Sequence, residues 1–81
     1  MYKNRGENGR CNLCGEQIAQ WRKESEPYIS QRALADLLQL AGLDIDKNAV
    51  QRIESGQRFV TDIELKVIAQ VLGLTTDELL Q

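Results

Sequence analysis

The feature that most constrains this chain is the stretch from residue 46 to residue 56, which carries both a start signal and a stop signal for a helix. Asp46 suits the N-cap, because its carboxylate can accept the backbone N–H groups that the first turn leaves unpaired. Gly56 suits the position just after the last turn, where the backbone commonly adopts a positive φ. Between these ends, Val50 and Ile53 fall on one face of a helix. The stretch therefore predicts a short helix with one buried side.

The opposite face of this helix is polar. It carries Lys47, Asn48, Gln51 and Arg52. Amide side chains can pair with adenine and cationic side chains with guanine, so a face of this composition is suited to reading base edges. An ordinary solvated helix surface has the same composition. The stretch alone therefore leaves both interpretations open.

The rest of the chain predicts an all-α fold, a compact bundle of five short helices. Its 81 residues are 42% hydrophobic, which suffices for one small domain with one core. No segment alternates between apolar and polar residues as a strand does. No apolar run approaches the roughly 18 residues of a membrane helix, and the N-terminus lacks the apolar core of a signal peptide. We therefore expect a cytoplasmic protein with no membrane partner.

Capping residues set the expected starts of the other helices. Asn12 can cap a first helix over residues 13 to 25, and Ser30 can cap a second. Thr61 and Thr75 each stand three residues before a glutamate, so each can open a helix with a capping box.

The apolar spacing within these helices predicts the core. The inward-facing positions are Leu34, Leu37, Leu38 and Ala41 in the second helix, and Leu65, Ile68, Ala69 and Leu72 in the fourth. In the connections, Leu43 and Ile45 should turn inward, and Phe59 and Val60 should cover the long link between the second and third helices.

Residues 1 to 12 are predicted to be a flexible N-terminal arm, and residues 13 to 81 the folded domain. The arm has two glycines and almost nothing to bury. Lys3, Arg5 and Arg10 could follow a phosphate backbone, although an ordinary solvated terminus is the favoured interpretation.

Cys11 and Cys14 form a Cys-x-x-Cys pair. A structural zinc site needs four ligands, and the sequence has two cysteines and no histidine, so a metal would require a second chain. A redox pair usually lies beside a β-α-β unit, which this sequence does not predict. We therefore interpret Cys14 as a small core side chain and expect no metal, no cofactor and no enzymatic activity. A redox or intersubunit metal role stays the alternative.

The charge is unevenly distributed along the chain. The net charge is −2, which argues against binding nucleic acid merely by being basic. Residues 1 to 23 carry five basic and two acidic side chains, whereas residues 59 to 81 carry one and four. This distribution permits a face toward DNA and an acidic back.

Four segments, in chain order, resemble the phage-repressor-like helix-turn-helix family, also called Xre-type or lambda-repressor-like. They are residues 15 to 23 (its Gly-Glu-x-Ile-x-x-Leu-Arg-Lys opening, with Trp at the Leu position), 30 to 35 (Ser-Gln-x-x-Leu-Ala), 50 to 58 (Ile-x-x-Ile-Glu-x-Gly-x-Arg, with Val first) and 65 to 80 (its Leu-x-x-Ile-Ala ending). The connection over residues 37 to 45 is longer than the family usually has, so we expect the second helix to be extended by a turn.

The resemblance implies a role for particular residues. Base contacts fall to Lys47, Asn48, Gln51 and Arg52, and phosphate contacts to Gln31, Arg32, Ser55 and Arg58. Arg22 and Glu54 match a partly buried ion pair that joins the first helix to the recognition helix.

The function that follows is a sequence-specific DNA-binding transcriptional regulator, a bacterial or phage repressor that inserts the helix over residues 47 to 55 into the major groove of double-stranded DNA. One recognition helix offers few base contacts, so we expect a homodimer, at least on DNA, that meets through Leu79, Leu80 and the last helix. The alternative is a protein-interaction module with a protein partner, such as an antitoxin or anti-repressor, that uses the same fold.

Overall fold

The computed structural model describes residues 9 to 81, and this part of the chain is all α-helical. Its helices are α1 (Gly15–Glu24), α2 (Gln31–Leu40), α3 (Lys47–Glu54), α4 (Asp62–Leu72) and α5 (Thr76–Leu79). Helix α3 packs against both α1 and α2, and α4 packs against α2 and α5. The predicted all-α bundle of five helices is confirmed.

Side-chain caps fix the starts of four helices where the sequence predicts them. The Asp46 carboxylate accepts the Ala49 N–H at 2.7 Å and so opens α3. The Ser30 hydroxyl does the same for α2. Thr61 and Thr75 form the predicted capping boxes at the starts of α4 and α5.

Helix α1 begins later than predicted, at Gly15 rather than at residue 13. The Asn12 side chain still contributes, because its Oδ1 accepts the Gly15 N–H at 2.8 Å. The helix also ends one residue early, at Glu24, since the backbone of Ser25 is extended.

The core lies between α1, α2, α3 and the C-terminal helices. Its largest fully buried side chains are Leu34, Leu38, Ile45, Ile53, Ile68, Leu79, Val50 and Cys14. Ile45 is therefore buried as predicted, and Leu43 packs against the core while partly exposed. The interpretation of Cys14 as a core side chain is confirmed.

Two predictions of buried apolar residues are wrong. Leu37 is 39% exposed, because it lies toward the solvent side of the face that Leu34 and Leu38 bury. Ala41 is exposed because α2 ends at Leu40 and the chain turns away there. Phe59 is half exposed and Val60 packs against the core while partly exposed, and their cover of the link between α2 and α3 stays a prediction.

Leu79 is wholly buried within the single chain, with no surface left for a partner. The prediction that it contributes to a dimer contact is therefore wrong. Its neighbour Leu80 is 43% exposed and keeps an accessible surface.

The predicted N-terminal arm runs over residues 1 to 12, of which residues 1 to 8 lie outside the described residues. Residues 10 to 12, here called the N-terminal strap, hydrogen-bond to the C-terminal end of α3 and the turn after it. Arg10 Nη2 donates to the Glu54 carbonyl at 2.9 Å, and the Cys11 N–H donates to the Gly56 carbonyl at 2.8 Å. Asn12 Nδ2 donates to the carbonyls of Ile53, at 3.1 Å, and Arg58, at 2.7 Å.

Helix α1 starts in direct contact with the end of α3. A Cβ atom on Gly15 would collide with the carbonyl oxygen of Ile53, a backbone atom that cannot rotate away. Only glycine permits this approach, so the distance between α1 and α3 depends on the lack of a side chain at residue 15. None of the helices in the described part of the chain is long and apolar enough to span a membrane.

Candidate nucleic-acid interface

Helix α3 presents its polar face to solvent. The four side chains predicted to contact bases, Lys47, Asn48, Gln51 and Arg52, are all exposed. Within residues 9 to 81, none of these four side chains makes a hydrogen bond or ion pair. The opposite face is anchored in the core by Ala49, Val50 and Ile53. The helix therefore holds a row of uncommitted donors and acceptors on a fixed backbone.

The end of α3 is as closely defined as its start. Gly56 has φ +82°, and the Gln57 N–H reaches back to the Arg52 carbonyl at 2.8 Å. This left-handed turn closes the helix as the sequence predicts. Together with the N-terminal strap, it satisfies the carbonyls that the last turn would otherwise leave unpaired.

Arg22 and Glu54 form a bidentate ion pair between α1 and α3. Arg22 Nε donates to Glu54 Oε2 at 2.9 Å, and Nη2 donates to Oε1 at 2.8 Å. The two side chains are 5% and 8% exposed, so water screens the pair little. The bonds to Glu54 raise the pKa of Arg22 above its usual value. This pair fixes the last turn of α3 against α1.

Three residues at or just before the start of α2 form hydrogen bonds with the same pair. Gln31 Nε2 donates to Glu54 Oε1 at 3.0 Å. Arg22 Nη1 donates to the Tyr28 hydroxyl at 2.9 Å and to the Ile29 carbonyl at 3.2 Å. The amide of Gln31, predicted to contact phosphate, therefore keeps one N–H and its carbonyl oxygen for a further partner.

Arg32 is exposed beside the groove that separates α2 from α3. This groove has a volume of about 280 Å³ and is lined by Arg32, Ala35, Asp36, Gln39, Asp46 and Lys47. It therefore carries two cations and two carboxylates. Gln39 is partly engaged, because its Nε2 donates to the Ile45 carbonyl at 3.1 Å.

The other two residues predicted to contact phosphate lie just beyond α3. Ser55 is exposed, and its hydroxyl donates to the Arg52 carbonyl at 3.2 Å. Arg58 binds Glu64 with two hydrogen bonds, of 3.1 and 2.9 Å. These bonds hold the pKa of the Glu64 carboxyl below its usual value. The guanidinium of Arg58 is thus occupied within the chain, and a phosphate contact there stays a prediction.

The cysteine pair lies outside the exposed face of α3. Cys14 is 1% exposed, and burial raises the pKa of its thiol, which lowers its reactivity as a nucleophile. Cys11 is partly exposed, and both thiols are free. In the part of the chain that the structure describes, no three side chains of the metal-binding types come together.

Comparison with known proteins adds one finding. A family model described as helix-turn-helix matches residues 18 to 79, which span all of the helices except the first residues of α1. No curated protein and no solved structure matches the chain significantly.

Proposed function

The chain belongs to the phage-repressor-like helix-turn-helix family of DNA-binding regulators, and from this premise we propose that it is a sequence-specific transcriptional repressor. In this proposal, α3 enters the major groove and the protein acts by occupying an operator. The observation that carries it is the exposed face of α3, whose four polar side chains have no partner within the described chain.

The base-reading residues are Lys47, Asn48, Gln51 and Arg52. Their types suit the edges of adenine and guanine, and each well-placed bidentate pair discriminates by about 1 to 3 kcal/mol. Because Arg22 and Glu54 tie α3 to α1, and Asp46 caps its start, the helix is held rigidly before any DNA is bound. A preformed surface loses less conformational entropy on binding.

The backbone contacts fix the register of α3 on the duplex. We assign these contacts to Gln31, Arg32 and Ser55, with Arg58 as a candidate that would have to share its guanidinium with Glu64. Such contacts position the protein without carrying sequence information.

A homodimer on DNA completes the proposal. A single α3 offers only a few base contacts, whereas two half-sites read by two protomers multiply the discrimination. Leu80 and the surface around α5 are the accessible candidates for the contact, since Leu79 is buried.

The experiment that tests the proposed function is binding-site selection from a pool of random DNA duplexes. The purified protein is incubated with the pool at low salt and in excess unrelated DNA, and retained duplexes are amplified and sequenced through several rounds. Enrichment of one motif, with affinity that falls steeply as salt rises, is the expected result. A pool that stays random after repeated rounds would contradict sequence-specific binding.

A protein-interaction module is the second candidate, and the carboxylates of Asp36 and Asp46 beside α3 favour it, because they would repel phosphate. In that case the partner would be a protein that binds a surface other than the polar face of α3. Binding to such a partner through apolar contacts would depend weakly on salt, so the salt series separates the two functions.

A further inference from the structure

The hydroxyl of Tyr28 is held by a buried cation, although the tyrosine lies at the surface. Arg22 Nη1 donates to the phenol oxygen at 2.9 Å, and the guanidinium carbon lies 5.8 Å from the centre of the ring. Tyr28 is 63% exposed, whereas Arg22 is 4% exposed. A surface tyrosine is ordinarily free to change rotamer, so these two contacts fix a hydroxyl that would otherwise move.

The O–H group of Tyr28 can still donate a hydrogen bond while its oxygen accepts one from Arg22. A guanidinium has donors and no acceptor, so the phenol oxygen accepts in the bond from Arg22. In the described part of the chain, no protein oxygen accepts the phenol proton in turn. Accepting a bond from a cation polarises the O–H group and strengthens it as a donor. The partner that best suits such a group is an anionic oxygen.

The ion pair links this donor to a residue assigned to the DNA backbone. Gln31 Nε2 binds Glu54 Oε1, the oxygen that also accepts from Arg22 Nη2. Only three hydrogen bonds therefore separate the hydroxyl of Tyr28 from the amide of Gln31. Tyr28 precedes α2, and Gln31 is its first residue. Both side chains are held by the ion pair of Arg22 and Glu54, which also fixes α3.

We propose that the Tyr28 hydroxyl binds a backbone phosphate of the DNA and acts as a positioning contact next to that of Gln31. This inference rests on the proposed DNA-binding function and assigns it a further residue. Because the ion pair of Arg22 and Glu54 holds both Tyr28 and α3, the hydroxyl fixes where the phosphate lies relative to the reading face. It contributes to affinity and register, whereas base choice stays with α3.

The test compares the wild type with Tyr28→Phe on the duplex obtained by binding-site selection. The variant keeps the ring next to the Arg22 guanidinium but lacks the hydroxyl and therefore the hydrogen bond from Arg22 Nη1. We expect affinity to fall about two- to tenfold, the effect of one lost hydrogen bond. The slope of log affinity against log salt should not change, because a neutral group releases no counterion. The control Ser25→Ala removes a hydroxyl that donates to the Trp21 carbonyl at 2.8 Å in the same connection, and its DNA affinity should not change.

A scan with methylphosphonates separates a direct contact from an effect through Arg22. Each backbone phosphate near the site is replaced in turn, and both proteins are measured on each duplex. At one phosphate, the replacement should lower the DNA affinity of the wild type more than it lowers that of Tyr28→Phe. The difference should be about the factor that the hydroxyl contributes to affinity. The coupling at one position is a result that a purely structural tyrosine would not give.

Two results would overturn the contact while the proposed function stands. One is equal affinity of the wild type and Tyr28→Phe for the selected duplex. The other is a weaker variant that shows no coupling at any phosphate, since the hydroxyl would then act only by orienting Arg22. If the wild type selects no sequence at all, the proposed function fails first, and the inference fails with it.

Discussion

At the scale of single residues, the arginines of the described part of the chain form two groups, those with a partner in the chain and those without one. Arg10, Arg22 and Arg58 are engaged with backbone or carboxylate oxygens of the chain. Arg32 and Arg52 are exposed and have no such partner in the described residues. Among the described arginines, the charge available to a ligand therefore lies at the start of α2 and on the exposed face of α3.

Replacement of Arg52 by alanine should reduce sequence-specific binding more than non-specific binding. If Arg52 reads guanine, its loss should weaken binding to the selected duplex by about fivefold to 150-fold, which corresponds to about 1 to 3 kcal/mol. Competition binding against unrelated DNA measures both affinities. Lys66→Ala removes an exposed charge on α4 and is the matched control. An equal loss on both kinds of DNA would show that Arg52 contributes charge without reading bases.

Replacement of Glu54 by glutamine should strongly destabilise the fold. The change leaves the guanidinium of Arg22 buried without a counter-charge, which costs about 3 to 5 kcal/mol in comparable pairs. Urea unfolding followed by circular dichroism measures the change in the free energy of unfolding. Glu24→Gln, at an exposed site at the end of α1, is the control and should change it by less than about 0.5 kcal/mol. A loss below about 1 kcal/mol for Glu54→Gln would contradict a structural role for the pair.

Between elements, the critical contact is the approach of α1 to the end of α3 at Gly15. Glycine inside a helix is ordinarily less stable than alanine by about 1 kcal/mol. At residue 15, alanine should be the less stable of the two, because its Cβ atom would collide with the Ile53 carbonyl. Gly15→Ala is therefore expected to lower the free energy of unfolding, by about 1 to 3 kcal/mol.

Ala19→Gly, a later position of α1, is the companion variant. Its free energy of unfolding should be lower by about 0.5 to 1 kcal/mol, because of helix propensity alone and without any collision. Both variants are measured by thermal and urea unfolding. A Gly15→Ala protein that is more stable than the wild type would mean that α1 can shift away from α3 at little cost.

The helices, and the starts of α2 to α5, could be predicted from the sequence, because caps and apolar periodicity are local patterns. Asp46, Ser30, Thr61 and Thr75 act as the caps that their types and spacing predict. The exposed face of α3 could be predicted for the same reason.

Contacts between distant segments could not be predicted in this way. The N-terminal strap joins residues more than forty positions apart, and no periodic pattern marks such a contact. The same holds for the bond between Tyr28 and Arg22, because Tyr28 lies in a connection without regular spacing. Leu37 and Leu79 were wrongly assigned because helical spacing gives a face, whereas the amount of that face that is covered depends on the neighbouring helices.

At the scale of the whole molecule, an acidic protein of 9.2 kDa is proposed to bind a polyanion. The net charge of −2 gives no general attraction to DNA, so binding depends on the few uncommitted cations and on specific contacts. Non-specific affinity should therefore be low, which leaves the specific site favoured against the rest of a genome.

Two protomers should bind each selected duplex. Sedimentation of the complex should show a protein mass twice the 9.2 kDa of one chain, because two half-sites are needed for high affinity. A duplex that retains one half-site is the control and should bind more weakly. Saturation of the full site by a single protomer would contradict the dimer on DNA.

The N-terminal strap has a consequence for how such regulators diversify. Arg10, Cys11 and Asn12 grip the end of α3 through main-chain carbonyls, which every amino acid possesses. These hydrogen bonds therefore do not depend on which side chains occupy the exposed positions of the helix. If these residues read bases as proposed, exchanges at positions 47, 48, 51 and 52 should change the preferred DNA sequence and leave the bonds between the strap and α3 intact, so a lineage could acquire a new binding sequence while it inherits the same fold.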